Sequence, residues 1–292
     1  MHNFTKKILP KHTMEYTITI PKDTIEKKCD QTIALMAQET EIAGFRKGKA
    51  PLDIAKREIK KDKVYEHILQ NMLPDMYQEL IKTENLKPIV SPRIELVHAK
   101  EGEDWHVKIT IAEKPVINLN QYKEHVKRAL SEHKKEDIWI PGKPKNTTEK
   151  APQEKEEQKN KMTQIVLDIL LKNSTIEISQ LLIESELEKR LTQLVDDVRK
   201  IGLNVETYLK SKNETIESIK GKFTKEIENM YTLEFMLGEI AEIEHIAVDN
   251  KDIEDFFSLI KDEKAREEAK KNAYFYATIL RRQKTLDYLL SL

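Results

Sequence analysis

Residues 44–51 of this chain, which we call the docking tip, read Gly-Phe-Arg-Lys-Gly-Lys-Ala-Pro and combine the residue types of a binding loop. Glycines near both ends give the backbone the freedom to reverse direction. Phe45 can stack on a base or fill a protein pocket. Pro51 suits the first position of a helix, because it has no amide hydrogen to leave unpaired. The sequence therefore predicts a binding loop between two helices.

Positive charge continues beyond the docking tip. Between positions 46 and 63, eight cations face three acidic residues, which gives about +5 in eighteen residues. The cations are Arg46, Lys47, Lys49, Lys56, Arg57, Lys60, Lys61 and Lys63. Such a face attracts a phosphate-rich partner in a salt-sensitive way that does not depend on base sequence. Its simpler interpretation is a solvated basic face beside an ordinary turn.

The docking tip resembles, at every position, the ribosome-docking motif of trigger factor, the bacterial chaperone at the nascent-chain tunnel exit. The order of elements resembles that family's N-terminal domain over residues 14 to about 117, and a weaker similarity of pattern covers about 162 to 292. The resemblance implies contacts with protein and rRNA of the large ribosomal subunit. The implied ribosome-binding residues are Gly44, Phe45, Arg46, Lys47, Gly48, Lys49 and Pro51.

Apolar periodicity predicts the elements that hold the docking tip. Residues 14–20 alternate apolar and polar side chains, which indicates a half-buried strand, and a helix follows to about Thr40. A short basic helix and a longer one from Asp62, kinked at Pro74, come next. Strands near 94–96 and 105–111 then form a hairpin. This order predicts an α+β domain over 1–117, with helices covering one face of a small antiparallel sheet.

The second half of the chain has a different pattern. Residues 118–161 are predicted to be an extended connection and a polar linker. Apolar residues at helical spacing over 162–292 predict an extended all-α domain, whose helix seams include Ile201, Ile216 and Ile279. The last helix is predicted from about Asp262 to the C-terminus.

Aromatic and methionine side chains in this helical domain are candidates for binding unfolded polypeptides, because they offer adaptable apolar surface. Such residues more often belong to a packed core. The consecutive aromatics at 274–276 are informative, since successive helical residues point about 100° apart and cannot all face one seam. The candidate substrate-binding residues are Met230, Phe235, Met236, Phe256, Phe257, Tyr274, Phe275 and Tyr276.

We expect no catalysis, cofactor or metal. The eight histidines are scattered, and no phosphate-binding glycine loop or nucleophile elbow occurs. Trigger factors usually carry a prolyl-isomerase domain of the FKBP type, but only about forty residues separate Tyr122 from Met162. Such a domain needs about a hundred residues with many short strands. The sequence therefore predicts that the isomerase is missing.

Composition bounds the cellular setting. Cys29 is the only cysteine, so no intrachain disulfide is possible, and a reducing compartment is expected. No apolar run has the length of a signal peptide or a membrane span, so we expect a cytoplasmic protein with no membrane partner. The net charge of −1 hides a segregation, about +5 over residues 1–63 and about −9 over 177–262.

The leading hypothesis is an ATP-independent, ribosome-associated chaperone that binds nascent polypeptides, delays their misfolding and takes part in protein folding and export. Three alternatives remain open. They are a prolyl isomerase with a degenerate site, a basic RNA-binding protein, and a related helical chaperone of the cell envelope. The sequence leaves open whether the free protein forms a homodimer.

Overall fold

The structure is a computed structural model that describes residues 3–39, 45–46, 48–49, 51–136 and 152–292. The chain forms two compact units. Unit 1 contains Met1–Pro115 and Ser179–Ser185, and unit 2 contains Val116–Ile178 and Glu186–Leu292. The predicted fold class, an α+β domain followed by an all-helical domain, is confirmed.

A four-stranded antiparallel sheet forms the base of unit 1, with the strand order β1-β2-β4-β3. Its strands are β1 (Asn3–Leu9), β2 (Thr13–Ile20), β3 (Arg93–His98) and β4 (Trp105–Ala112). Tyr16 pairs with Ile109, and Ile18 pairs with Val107. Because paired residues point to the same side of a sheet, these four buried side chains share one apolar face.

Three helices accompany this sheet: α1 (Lys22–Glu39), α2 (Leu52–Glu58) and α3 (Lys61–Glu84). In α3, the buried residues recur every four positions, which lines one stripe of the helix with apolar side chains. They are Val64, Ile68, Met72, Met76 and Leu80. The helix continues through Pro74. These side chains and those of the sheet share one core cluster.

Strand β1 was not predicted from the sequence. It is an edge strand, and its residue Ile8 is 78% exposed, so it lacks the apolar alternation of a half-buried strand. Lys6 instead joins β1 to its neighbours through its long aliphatic side chain and terminal ammonium group. Its ammonium group lies 5.7 Å from the centre of the Tyr16 ring and 3.1 Å from Glu84 Oε2. This packing does not show in hydrophobic periodicity.

Unit 2 consists of helices and one two-stranded pair, β5 (Ile117–Asn118) with β6 (Thr175–Ile176). Its helices are α4 (Tyr122–Glu136), α5 (Pro152–Asn173), most of α6 (Gln180–Lys200), α7 (Val205–Ser211), α8 (Ile216–Ile243), α9 (Asn250–Ser258), α10 (Glu263–Lys271) and α11 (Ala273–Ser291). Helix α6 ends at Lys200. Gly202 follows with a φ of +75°, and the hydrogen bond from Leu203 N to Val198 O caps this end of the helix.

Two boundary expectations are corrected, and one helix was missed. Residues 118–161 are not an extended connection followed by a linker, because α4 lies in this range. The helix start that was predicted at the end of the linker is present as α5, and residues 137–151 lie outside the described part. The short helix α7 was not predicted. The last helix is divided at Asn272, whose backbone φ of −108° and ψ of 31° separate α10 from α11. The sequence pattern around Asn272 did not indicate this break.

A half-buried carboxylate connects three helices of unit 2. Glu244, just after α8, accepts hydrogen bonds from the hydroxyl groups of Tyr122 on α4, at 2.8 Å, and Tyr288 on α11, at 2.6 Å. Lys123 Nζ lies 2.7 Å from Glu244 Oε1. Hydrogen bonds from Lys123, Tyr288 and Tyr122 lower the pKa of Glu244 from its ordinary 4.5 to about 2.

The stability of the protein should therefore depend on pH through Glu244. The folded state holds this carboxylate ionised, so the unfolded chain binds more protons below about pH 5. The stabilisation is complete above the ordinary pKa and is lost as the pH falls towards about 2. Hydrogen bonds to charged groups contribute about 1.5–3 kcal/mol, so we expect Glu244→Gln to lower the free energy of unfolding at pH 7 by about 2 kcal/mol.

Urea unfolding monitored by circular dichroism at pH 7, 5, 4 and 3 measures this effect. The loss of stability on acidification should be smaller in Glu244→Gln than in the natural chain. Glu228→Gln is the control, because Glu228 lies on the same helix and has no ion-pair partner among the described residues. Identical pH profiles for the natural chain and Glu244→Gln would show that Glu244 does not couple folding to pH.

Candidate docking tip and apolar surface

The described residues of the docking tip form a turn between α1 and α2. The backbone amide of Lys49 donates to the carbonyl of Arg46 at 2.9 Å, and Gly48 has a φ of +76°. The side chain of Phe45 is 38% exposed. Gly44 and Lys47 lie outside the described residues. Phe45 and Arg46 are thus both exposed on one reversing loop.

Gly48 meets two structural demands. Its positive φ is unfavourable for other residues, and a Cβ atom placed there would lie 3.4 Å from the carbonyl oxygen of Gln38. The turn therefore passes close to the last turn of α1. Pro51 was predicted to be the first helical residue of α2, but it is the N-cap residue. Its carbonyl accepts hydrogen bonds from the amides of Ile54 and Ala55.

Helix α2 anchors the docking tip to the core of unit 1. Ala55 is fully buried and Ile59 nearly so, while the charged residues of the helix point outward. Asp53 lies in the first turn, where a negative charge suits the helix dipole. The tip is thus held by an apolar contact at its base.

The basic residues around the docking tip divide into paired and unpaired groups. Lys56 Nζ lies 2.7 Å from Asp30 Oδ1, and Lys61 Nζ lies 2.6 Å from Glu101 Oε1. Five exposed cations have no carboxylate partner within the described ranges: Arg46, Lys49, Arg57, Lys60 and Lys63. This part of the surface therefore keeps uncompensated positive charge.

In unit 2, the candidate aromatics on α9 and α11 meet in one aromatic cluster, formed by Phe256, Phe257, Phe275 and Tyr276. The Tyr276 ring centroid lies 5.4 Å from that of Phe256, 5.6 Å from that of Phe257 and 5.5 Å from that of Phe275. Two of these pairs are edge-to-face, a favourable arrangement of aromatic rings. The cluster fastens α9 to α11.

The same cluster is exposed on one side. Tyr274 is 88% exposed and Phe275 is 61% exposed. This agrees with the prediction from helical geometry that the three aromatics at 274–276 cannot all be buried. Leu259 and Ile279 are also exposed. We refer to Leu259, Tyr274, Phe275 and Ile279 as the exposed apolar surface.

Other predicted substrate-binding residues are in the interior. Met236 is fully buried and Phe257 is 5% exposed, so their predicted place on a substrate-binding surface is corrected. Both side chains fill the spaces between helices instead. Met230 and Phe235 are half-buried, and the Met230 sulfur lies 3.4 Å from Arg190 Nη2. Helical spacing alone cannot separate these cases, because a core stripe and a binding stripe have the same period.

Several exposed apolar residues were missed or misplaced. Ile201, Ile216 and Ile279, predicted in helix seams, are exposed, as is Leu203. Ile201 and Leu203 flank Gly202, and this glycine was the available sign that the chain turns away from the seam there.

Metal and membrane sites were also sought. No group of three or more histidine, cysteine, aspartate or glutamate side chains is placed to hold a metal ion among the described residues. Nor does any helix in the described ranges combine the length and apolar character needed to cross a bilayer.

Comparison with known proteins gives matches along nearly the whole chain. The family model described as "Bacterial trigger factor protein (TF)" matches residues 1–139, and the model of the C-terminus of the same family matches 145–291. Only residues 140–144 lie between the two matches, too few for an isomerase domain of about a hundred residues.

Curated relatives include the trigger factors of Staphylococcus aureus strains JH9 and Newman, each 29% identical over 107 residues. The aligned part is 37% of this chain and only 25% of each relative. A solved structure, described as "Promiscuous Substrate Recognition in Folding and Assembly Activities of the Trigger Factor Chaperone", matches with a TM-score of 0.66 and 14% identity. The match covers 99% of both chains and shows a shared fold.

Because Phe257 is buried and Tyr274 is exposed, replacing them should change the free energy of unfolding by different amounts. Phe257→Ala leaves a cavity in the aromatic cluster, so we expect the free energy of unfolding to fall by about 3 kcal/mol. Tyr274→Ala removes an exposed ring, and we expect a change within about 0.5 kcal/mol. Urea unfolding of the two variants measures both values. Equal losses would contradict the assignment of Phe257 to the core and Tyr274 to the surface.

Proposed function

The chain belongs to the bacterial trigger factor family, and we propose that it is an ATP-independent, ribosome-associated chaperone. In this proposal, the docking tip binds protein and rRNA of the large ribosomal subunit at the tunnel exit. The helical unit then holds nascent polypeptides until they bury their own apolar surface, and it has no prolyl-isomerase activity. We propose a cytoplasmic location for this activity.

The observation that carries the proposal is the docking tip itself. It combines an exposed aromatic ring, Phe45, with five cations on and beside the tip that have no carboxylate partner among the residues described. An exposed aromatic ring on a reversing loop is available to contact a partner. The unpaired cations supply attraction to phosphate groups, while Phe45 supplies an apolar anchor that fits one particular pocket or base. Together these features favour a ribonucleoprotein surface over naked RNA.

The exposed apolar surface supports the client-binding part of the proposal. Phe275 packs edge-to-face against Tyr276, and Tyr274 beside it is 88% exposed, so both offer aromatic area to a client. Rigid aromatic side chains bind with little loss of side-chain entropy. Several weak contacts of this kind exchange quickly but act together on one chain. Folding of the client removes the apolar area being held, so release needs no nucleotide.

Replacing Phe45, Arg46 and Lys47 together by alanine tests the docking role. We expect co-sedimentation with purified large ribosomal subunits to fall at least tenfold, because an apolar anchor and two cations are lost. Binding of the natural chain should weaken steeply between about 50 and 200 mM salt. The measurement is the bound fraction across this salt series.

A matched control removes two cations elsewhere in unit 1. Lys27 and Lys28 are exposed on α1, and their double alanine variant should sediment with the subunits like the natural chain. If the control loses as much binding as the tip variant, the binding would be explained by overall charge and not by specific docking of the tip. Equal affinity for naked rRNA and for assembled subunits would favour the RNA-binding alternative.

Replacing Tyr274 and Phe275 by serine tests the client-binding role. The change removes exposed apolar area with little effect on the core, so we expect client affinity to fall roughly tenfold, equivalent to about 1.4 kcal/mol. Suppression of light scattering by a chemically denatured enzyme, measured without ribosomes, reports this loss.

The matched control is Ile201→Ser with Leu203→Ser, which removes exposed apolar side chains near the end of α6. The control should keep most of its suppression. Equal losses in both variants would assign client binding to exposed apolar area in general. Full activity of the Tyr274 and Phe275 variant would exclude the exposed apolar surface as a binding site.

A further inference from the structure

Strand β3 forms one edge of the sheet in unit 1, and it pairs only with β4 among the described strands. Its outer side, which we call the β3 edge, therefore carries backbone amide and carbonyl groups that no described strand pairs with. Three of its six side chains are apolar and exposed: Ile94 at 38%, Leu96 at 46% and Val97 at 58%. An open edge with exposed apolar side chains is a template for pairing with another strand.

The register of the sheet explains why these side chains are apolar. Ile94 pairs with Ile109 in β4. Leu96 pairs with Val107. Because paired residues point to the same side of a sheet, the apolar face continues from β4 onto β3. The two residues of β4 are buried in the core, whereas their partners on β3 lie outside it. A strand added to β3 would cover this remaining part of the apolar face.

The opposite edge of the sheet, β1, has a different character. Lys6 and Lys7 lie in the middle of that strand, and charged side chains are a common protection of edge strands. Its strongly exposed apolar side chain is Ile8. The six residues of β3 include no lysine and three exposed apolar side chains. The β3 edge is therefore the better template of the two.

A second copy of this chain is a poor partner for the β3 edge. In an antiparallel pair of identical strands, the register that aligns Ile94 with Leu96 also sets Glu95 directly opposite Glu95. Like charges that face each other across a strand pair are destabilising. In addition, the pairing register shifts between Leu96 and His98, and two identical edges would each bring this irregularity. A single flexible peptide has to follow it only once.

The charge of the β3 edge indicates which peptide fits. Glu95 is exposed and has no ion-pair partner among the described residues. Its cross-strand neighbour, Lys108, lies 3.4 Å from Glu15 instead. Arg93 lies 2.7 Å from Glu184. The edge thus presents one uncompensated carboxylate, with an apolar residue before it and another after it in β3. A strand with one cation between two apolar residues complements this pattern.

We propose that the β3 edge binds an extended polypeptide segment as an added antiparallel strand, with a lysine or arginine opposite Glu95 and apolar residues opposite Ile94 and Leu96. Main-chain hydrogen bonds supply an attraction that does not depend on sequence, and the side-chain contacts supply the preference. This inference rests on the proposed function only for its class of ligand, an unfolded polypeptide. It assigns a place and a mode of contact separate from the exposed apolar surface.

The probe is the peptide Thr-Thr-Val-Lys-Val-Thr-Thr-amide, labelled with fluorescein at its N-terminus. Fluorescence anisotropy during titration with the full chain measures its affinity, and we expect saturable binding. A second preparation carries carbon-13 in the carbonyl of one valine. On binding, the infrared band of this carbonyl should move to the position of a hydrogen-bonded strand. A lack of saturable binding, or binding without this band, would overturn the proposal.

Two N-methylated forms of the probe test the main-chain contacts. One form is methylated at its even-numbered amides and the other at its odd-numbered amides. Because successive amides of a strand point to opposite edges, each form lacks the donors along one edge only. We expect one form to bind about tenfold more weakly than the probe and the other to bind like it. Equal affinities of the two forms would contradict strand pairing.

Reversing the charge of Glu95 tests the side-chain contact. The lysine probe should bind Glu95→Lys about threefold more weakly than it binds the natural chain. A probe with glutamate in place of lysine should bind the variant about threefold more tightly than it binds the natural chain. Glu95 is exposed, so the change should leave the fold intact. Unchanged affinities of both probes would remove Glu95 from the proposal.

Replacing Ile94 and Leu96 together by threonine tests the apolar contact. Threonine favours strands but offers less apolar area, so we expect the affinity for the probe to fall about fivefold. Ile8→Thr is the matched control, because Ile8 is exposed on the opposite edge of the same sheet. The control should bind the probe like the natural chain. Equal affinities of the double variant and the control would exclude β3 as the binding edge. Circular dichroism and urea unfolding confirm that each variant is folded.

Sedimentation velocity without the probe tests the second copy as the occupant. Dimers of the natural chain that become monomers in Ile94→Thr with Leu96→Thr would assign the β3 edge to self-association and overturn the proposal. We expect the natural chain and the double variant to sediment alike.

The variant Tyr274→Ser with Phe275→Ser separates this inference from the proposed client-binding role. It leaves the β3 edge unchanged, so it should bind the probe like the natural chain. Loss of probe binding in this variant would place the peptide on the exposed apolar surface and overturn the β3 edge as the site. If the natural chain suppresses client aggregation but does not bind the probe, this inference fails while the proposed function stands.

Discussion

The single apolar face of the β-sheet is the constraint on which unit 1 depends. Because β2 and β4 alternate apolar and polar residues in register, the sheet must be covered on one side by α1 and α3. The connection between those helices then has to carry its polar and basic residues outside the core. The described residues of the docking tip are exposed for this reason, and Ala55 and Ile59 return the chain to the same core cluster.

Large apolar side chains in unit 2 either pack between helices or form exposed surface, and the same residue types are used for both. Phe257 and Met236 are buried and stabilise the packing of helices, while Tyr274 and Phe275 stay in water. Exposing an aromatic ring forgoes the free energy of its burial, about 1.5–3 kcal/mol for a large apolar side chain. The aromatic cluster limits this cost, since Tyr276 packs against Phe256 and Phe257 while its neighbours point outward. One helix thus stabilises the unit and presents a surface.

Sequence reasoning found those features that local pattern determines. Period-two alternation gave β2 and β4, and the glycines and Pro51 gave the turn and the helix start to within one residue. It missed β1, where Lys6 packs through its stem, and α4, whose buried face is short and lies in a strongly charged segment. It could not separate Met236 from Tyr274, because burial depends on which helix lies opposite. The hydrogen bonds around Glu244 join residues more than forty positions apart, which no local pattern reveals.

Ion pairs on the surface of unit 1 determine which of its basic residues are left to attract a partner. Lys56 and Lys61 meet carboxylates of neighbouring elements, so their positive charge is largely cancelled at the surface of unit 1. The hydrogen bonds that Lys56 and Lys61 donate to these carboxylates raise the pKa of both lysines. In the described part of the chain, a small set of cations near Phe45 is left without a carboxylate partner. A partner must therefore match an aromatic ring and a local group of charges together, and salt weakens only the second of these contacts.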